Sequence, residues 1–159
     1  MDHQIIRDHL RKLLLEGQAH VDWKSAVKGL PEDKRGVRPA GSPHSPWELL
    51  EHVRIAQRDI LEFSRNPNHV SPEWPSGYWP ATPKPPSPEA WNHSLKSFEK
   101  DLHAMVELVL NPKADLAAPI QHGSGQTLLR EALLVADHNA YHLGQFVLVR
   151  RMLGSWDET

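Results

Sequence analysis

The sequence contains no cysteine, and this absence restricts the chemistry open to the chain. Without thiols there is no disulfide, no thiolate ligand for a metal ion and no cysteine nucleophile. Any metal ligands must therefore be His, Asp or Glu. A chain without cysteine is also suited to the reducing cytoplasm, and we expect a cytoplasmic location.

The chain also lacks a strong charge of either sign and a long apolar run. Eighteen Lys and Arg residues face 20 Asp and Glu residues, which gives a formal net charge of −2. Phosphate backbones and anionic lipids attract strongly basic surfaces, so neither nucleic acid nor a membrane is an expected partner. Apolar stretches such as 13–15 and 132–136 are far shorter than the roughly 20 residues that a membrane span requires.

Helical periodicity dominates what is present. With 159 residues, 39% of them hydrophobic, the chain is long enough for one domain with its own core, and we expect a single domain over 1–159. No segment shows the alternation of a strand. Apolar spacing predicts four helices, at about 2–27, 46–65, 88–110 and 127–153. The sequence therefore predicts an all-α four-helix bundle.

The boundaries of the second helix and the connection after it carry the clearest signals. Ser45 is placed as an N-cap, with Pro46 at the first helical position and Glu48 positioned to complete a capping box. The segment 66–88 contains eight prolines, which exclude a helix or a central strand. Such a long connection can carry the chain back along the bundle, so we expect an up-down-down-up course with the second and third helices parallel.

The predicted fourth helix carries two histidines on its inward seam. Residues four apart on a helix lie about 5–6 Å apart at Cβ, so His138 and His142 can reach one ion from the same face. The apolar stripe of the second helix places His52 above the small Ala56. Three neutral imidazoles with an open position form the ligand set of a catalytic zinc site, and imidazole also suits nickel, iron and copper.

Two other interpretations of these histidines compete with this metal site. A lone histidine on an apolar stripe is often a hydrogen-bonded core residue, but three buried rings without a common partner would be costly, since each carries a donor and an acceptor. Other metal frameworks fit worse. Asn139, after the first histidine of the pair, stands where a zincin protease has its glutamate, and the chain contains no Glu-x-x-His pair of the di-iron bundles.

Polar residues near the predicted triad are candidates for assisting roles. Glu48 lies one turn before His52, while Glu131 and Gln145 lie on the seam of the fourth helix. Each could orient a ligand, move a proton or contact a substrate, although Glu48 is also explained by its capping box. In the long connection, Trp74, Tyr78 and Trp79 either wall a substrate pocket over the open end of the bundle or pack as a lid without ligand contact.

Residues 45–52, Ser-Pro-Trp-Glu-Leu-Leu-Glu-His, and residues 138–145, His-Asn-Ala-Tyr-His-Leu-Gly-Gln, resemble the DinB-like (YfiT-like) metal-binding proteins. The resemblance covers nearly the whole chain. It implies a four-helix bundle, one divalent ion held by His52, His138 and His142, and a homodimer. Zinc or nickel is expected first, with iron and manganese as alternatives. Relatives include transferases that use a low-molecular-weight thiol such as bacillithiol or mycothiol, and members described as metal-dependent hydrolases.

Three functional hypotheses follow. The first is an enzyme in which the metal activates a thiol cosubstrate, whose sulfur must come from outside because the chain has no cysteine, or activates water for hydrolysis of a small molecule. The second is a non-catalytic, stress-associated protein that binds a metal and a ligand. The third is a dimeric helical scaffold whose histidines are core residues.

Overall fold

The computed structural model describes residues 3–156, which form five α-helices and contain no β-strand. The predicted all-α class is therefore confirmed, and the helices pack as a bundle. Their bounds are α1 His3–Leu15, α2 Trp23–Val27, α3 Pro46–Arg65, α4 Pro88–Leu110 and α5 Leu128–Met152. Single 3₁₀ turns lie at Glu32–Lys34 and Ser76–Tyr78. No described helix has the length and apolarity needed to cross a bilayer.

The three long helices begin and end where the sequence signals place them. At the start of α3, the Ser45 hydroxyl accepts from the Glu48 amide, and the Glu48 carboxylate accepts from the Ser45 amide. Both halves of the predicted capping box are present. The α5 helix begins after Thr127, whose side chain accepts from the Arg130 amide. These helix starts could be predicted from the sequence because each capping hydrogen bond joins residues only three positions apart.

The prediction of one first helix over 2–27 is wrong. Its start at Asp2 lies outside the described residues, and α1 ends at Leu15. A Cβ at Gly17 would lie 2.0 Å from the His20 carbonyl oxygen, and Gln18 has a φ of 49°, so the chain makes a tight turn here. Asp22 then caps a new helix by accepting from the Ser25 amide at 2.6 Å. The turn and the cap therefore interrupt the helix between Leu15 and Trp23, although the apolar periodicity of the sequence continues across this segment.

Helix α3 lies against both α4 and α5, and cross-helix contacts give their directions. The Trp47 and Trp91 ring centroids are 6.5 Å apart, and farther along the Gln57 amide donates to the Phe98 carbonyl at 2.8 Å, so α3 and α4 run in the same direction. The Asn139 amide donates to the Gln57 side chain at 2.8 Å, one turn after His52 on α3 but one turn before His142 on α5. Helices α3 and α5 are therefore antiparallel.

The core forms two apolar clusters, and the buried Gln57 links α3 to α4 and α5 by hydrogen bonds. One cluster joins α1, α3, α4 and α5, and the other joins α2 to α3, α4 and α5. Trp47 and Trp91 belong to the second cluster and are 4% and 2% exposed. Two buried arginines tie helix ends together: Arg7 donates to the Val109 carbonyl at the end of α4, and Arg150 donates to the Ala26 and Lys28 carbonyls at the end of α2. These contacts join α1 to α4 and α5 to α2.

Candidate metal centre

Three histidines from α3 and α5 meet at one point of the bundle. The Nε2 atom of His52 lies 3.1 Å from Nε2 of His142 and 3.2 Å from Nε2 of His138. One ligand atom from each residue can be chosen so that all three lie within 4.8 Å of one another. His52 and His142 are buried, and His138 is half-buried. The structure thus brings together the three residues that the spacing and the resemblance singled out.

Hydrogen bonds at the opposite ring nitrogens determine which atoms face the meeting point. Nδ1 of His52 lies 2.9 Å from the Tyr78 carbonyl oxygen, and Nδ1 of His142 lies 2.7 Å from Oε1 of Gln145. A carbonyl oxygen only accepts, so each Nδ1 must carry the hydrogen. In the neutral rings, both Nε2 atoms then present lone pairs to each other. A shared cation satisfies this arrangement, whereas a direct hydrogen bond between these two neutral rings does not.

The spacing of the nitrogens fits the coordination sphere of a small divalent ion. With a metal–nitrogen bond of about 2.0–2.1 Å, tetrahedral ligands lie roughly 3.3 Å apart, and ligands at right angles lie roughly 2.9 Å apart. The observed 3.1 and 3.2 Å fall between these values. The chemistry and geometry of the donor set therefore fit a metal ion, with both common geometries possible.

Burial keeps the imidazoles neutral. It lowers the pKa of all three rings, and repulsion from neighbouring histidines, which for His52 is His44, adds to this effect. The pKa of His138 and of His142 falls to about 4. Without a cation, the rings stay uncharged near neutral pH, and their lone pairs are free to bind one.

His138 differs from the other two in its second nitrogen. Its Nδ1 atom is buried and has no hydrogen-bond partner among the described residues. The orientation of His138 therefore depends on packing and on whatever the ring binds, while His52 and His142 are also aligned by hydrogen bonds.

The proline-rich connection supplies an aromatic ring that covers one side of the cluster. Trp79 stacks on His52 with centroids 4.0 Å apart and planes 7° apart, and on its other face it stacks on His44, also at 4.0 Å. Trp79 was one of the predicted lid residues, and it does reach the site. His44 and the Tyr78 carbonyl were missed. No side-chain pattern could reveal a backbone carbonyl, and His44 lies in a loop without periodicity.

One carboxylate on α3 fastens this connection. Asp59 accepts from the Tyr78 hydroxyl and from Nε2 of His69, each at 2.6 Å. Burial raises the pKa of Tyr78 to about 12, and its hydrogen bond to Asp59 and the charge of that group add to the rise. The other two aromatic residues predicted as lid components do not stack on the histidines as Trp79 does. The Tyr78 side chain anchors the connection to Asp59 of α3, and Trp74 is 74% exposed.

The three predicted assisting residues lie in different surroundings. Gln145 reaches the cluster through its contact with His142. The Glu48 carboxylate is bound by Arg38 as well as by the capping box. Glu131 is 2% exposed and paired with Arg130 at 2.7 Å, and it lies about two turns from His138 along α5. Neither carboxylate belongs to the metal-ligand cluster found among the described residues.

These features define an all-α bundle with a three-histidine cluster suited to a metal ion. The family model of the DinB superfamily matches residues 18–146, which include all three histidines. The chain therefore belongs to the DinB superfamily. No curated protein and no solved structure matches it.

Proposed function

We propose that His52, His138 and His142 hold one divalent metal ion and that the protein is a metal-dependent enzyme acting on a small molecule. One observation carries the proposal. The Nε2 lone pairs of His52 and His142 point toward each other, because the Nδ1 atom of each ring donates its hydrogen to a carbonyl oxygen. Zinc and nickel suit such a site best, with iron and manganese as alternatives. A bound ion would lower the pKa of a thiol or of water and polarise a substrate atom.

The surrounding residues orient the ligands and shape access. The Tyr78 carbonyl and Gln145 set the ring planes of His52 and His142, and Trp79 covers one face of His52. Tyr141, 65% exposed, contacts His142 with ring centroids 4.9 Å apart and lines an outer edge of the cluster. We propose Gln145, Glu48 and Glu131 as assisting residues. The hydrogen bond of Gln145 supports its role most directly, since the two carboxylates are paired with arginines.

The preferred reaction is transfer to a low-molecular-weight thiol. The chain has no cysteine, so the sulfur must come from a cosubstrate. With a chloro-aromatic as electrophile, the thiol sulfur forms a new bond to the ring carbon, chloride leaves and the thiol proton goes to solvent. Hydrolysis of a small molecule by activated water is the alternative reaction of the same site.

The test combines metal analysis with a rate measurement. Wild type should contain about one metal ion per chain, and His142→Ala should lose most of it, whereas His93→Ala should retain it because His93 is exposed and lies outside the cluster. Equal metal content in wild type and His142→Ala would rule out the site. The loaded wild type should form the thioether faster than loaded His142→Ala does.

A non-catalytic protein that binds a metal and a ligand is the competing function. It would bind metal with the same histidine dependence, but product from thiols and electrophiles, or from esters and amides, would form no faster than without protein. Metal content therefore tests the site, and the rates separate an enzyme from a binding protein.

We also propose that the protein forms a homodimer in the cytoplasm, without nucleic-acid or membrane partners. Helix α5 supports the dimer because it is apolar on its inner face and also exposes large apolar side chains: Leu133, Tyr141, Leu148 and Met152. An apolar stripe on the outside of a central helix is suited to burial against a second copy.

A further inference from the structure

Tyr78 contacts α3 at two points, and only one of them lies at the histidine cluster. Its backbone carbonyl oxygen lies 2.9 Å from Nδ1 of His52, and its hydroxyl donates to Asp59 at 2.6 Å. Asp59 follows His52 by about two helical turns, which places both residues on one face of α3, roughly 10 Å apart along the helix. A single residue of the proline-rich connection therefore links a proposed metal ligand to a carboxylate outside the metal-ligand cluster.

Asp59 anchors the segment that contains Tyr78. One carboxylate oxygen accepts from the Tyr78 hydroxyl and the other from Nε2 of His69, each at 2.6 Å, so Asp59 ties both ends of 69–78 to α3. The backbone hydrogen bonds around Tyr78 join residues of 73–79 to one another. They fix the shape of this turn but not its position on α3. That position depends on contacts with α3 itself, to which Asp59 contributes two hydrogen bonds.

The position of the Tyr78 carbonyl determines the tautomer of His52. Which nitrogen of a neutral imidazole carries the hydrogen is set by the hydrogen bonds that the ring makes. The carbonyl oxygen only accepts, so it keeps the hydrogen on Nδ1 and leaves the Nε2 lone pair directed at His138 and His142. If the carbonyl moved away, Nε2 could carry the hydrogen instead, and in that form it could not bind a metal ion. Trp79, the next residue, stacks on the same ring.

We propose that Asp59 is a positioning residue of the metal centre, which acts through Tyr78 to hold His52 in the tautomer that presents Nε2 to the ion. The proposal rests on the proposed metal site, but the tautomer of His52 can be measured without a metal. The side chains of Asp59 and Tyr78 are half-buried, so they can be replaced without opening the apolar core.

The first experiment measures the tautomer by nitrogen–proton correlation NMR of the histidine side chains in chelator-treated protein, with His52→Gln to assign the signals of His52. We expect hydrogen on Nδ1 in the wild type and a mixture of both tautomers in Tyr78→Phe and in Asp59→Ala. Tyr78→Phe removes the hydroxyl but keeps the ring and the carbonyl, and it decides the outcome if Asp59→Ala does not fold.

Asp22→Ala is the matched control. Asp22 also accepts a hydrogen bond at 2.6 Å, but from the Ser25 amide at the start of α2, so its removal weakens that helix without touching the proline-rich connection. The tautomer of His52 in Asp22→Ala should be that of the wild type.

The second experiment measures zinc affinity by competition with a chromogenic chelator. We expect zinc to bind about tenfold more weakly to Tyr78→Phe and Asp59→Ala than to wild type, and equally well to Asp22→Ala. Hydrogen on Nε2 of His52 in the wild type, an unchanged tautomer in Tyr78→Phe, or an equal loss of affinity in Asp22→Ala would overturn the proposal. A wild type that binds no zinc would instead refute the metal site, while the spectra of the metal-free variants would still decide whether Asp59 controls His52.

Discussion

At the scale of single residues, the histidine cluster depends on which nitrogen of each ring carries hydrogen. The Tyr78 carbonyl fixes this for His52, and Gln145 fixes it for His142, while Nδ1 of His138 lacks a partner among the described residues. Two rings are therefore aligned before any ion binds. A ligand that is already aligned loses less conformational freedom on binding, which raises metal affinity.

Replacing Gln145 tests this alignment. Gln145→Leu keeps the size of the side chain but removes the acceptor for Nδ1 of His142, so we expect metal affinity to fall by about 10- to 100-fold. Competition titration against a chromogenic chelator measures the change. Gln121→Leu, at an exposed position, serves as the control and should bind like wild type. Identical affinities for Gln145→Leu and wild type would show that the hydrogen bond has no role in binding.

At the scale of elements, two sets of contacts fix the segments around His52. One is the capping box of α3, and the other is the pair of hydrogen bonds by which Asp59 holds the proline-rich connection. Burial raises the pKa of the Glu48 carboxyl, but hydrogen bonds from Arg38 and Ser45 outweigh it, so that the pKa lies below its usual value of 4.5. The ionised carboxylate therefore stabilises the folded state above that value, and this contribution disappears as the pH falls through the lowered pKa.

The substitution Glu48→Gln should show this dependence on pH. Glutamine can still accept from the Ser45 amide but loses the charge that pairs with Arg38, so we expect a loss of about 1 kcal/mol in the free energy of unfolding at pH 7. The difference from wild type should shrink below pH 4.5. Urea titrations at pH 7 and pH 4 measure it, with Glu107→Gln on the exposed side of α4 as control. A difference that stays constant with pH would contradict a charge effect.

The substitution Asp59→Asn should loosen the proline-rich connection. It weakens the hydrogen bonds to the Tyr78 hydroxyl and to His69, so the segment that supplies the Tyr78 carbonyl and Trp79 is held less firmly. We expect hydrogen exchange at the Tyr78 and Trp79 amides to speed up by about tenfold, which corresponds to about 1.4 kcal/mol. Asp137→Asn, exposed on α5, should exchange like wild type. Unchanged protection in Asp59→Asn would mean that other contacts hold the connection.

At the scale of the whole molecule, α5 is the helix on which the proposals meet. One face carries His138 and His142, and another exposes Leu133, Tyr141, Leu148 and Met152. A helix that is apolar on more than one side is normally buried on more than one side. This supports the proposal that a second copy covers the outer stripe.

A charge in this stripe should dissociate the proposed dimer. We expect wild type to have the mass of two chains by size-exclusion chromatography with light scattering, and Leu148→Glu to shift toward one chain, since an interface must desolvate the new carboxylate. Val70→Glu, which places the same charge at an 85% exposed loop position, should remain a dimer. A monomeric wild type, or a dimeric Leu148→Glu, would rule out this interface.

Some helix ends could be predicted from the sequence and others could not. The ends of α3, α4 and α5 could be predicted because caps, prolines and apolar spacing act within a few residues. The break in the first predicted helix could not be recognised from periodicity, because the turn at Gly17 and Gln18 and the cap at Asp22 interrupt an apolar pattern that runs on.

The sequence by itself determined the helical class and the placement of His138 and His142 on one face, because helix geometry alone relates residues four apart. Only the tertiary structure decided that His52 arrives at the same height, that a carbonyl from the proline-rich connection fixes its tautomer, and that Trp79 stacks upon it. These contacts join residues 26 to 90 positions apart, and their geometry depends on how the helices and the connection pack. Local patterns contain no information about such distances.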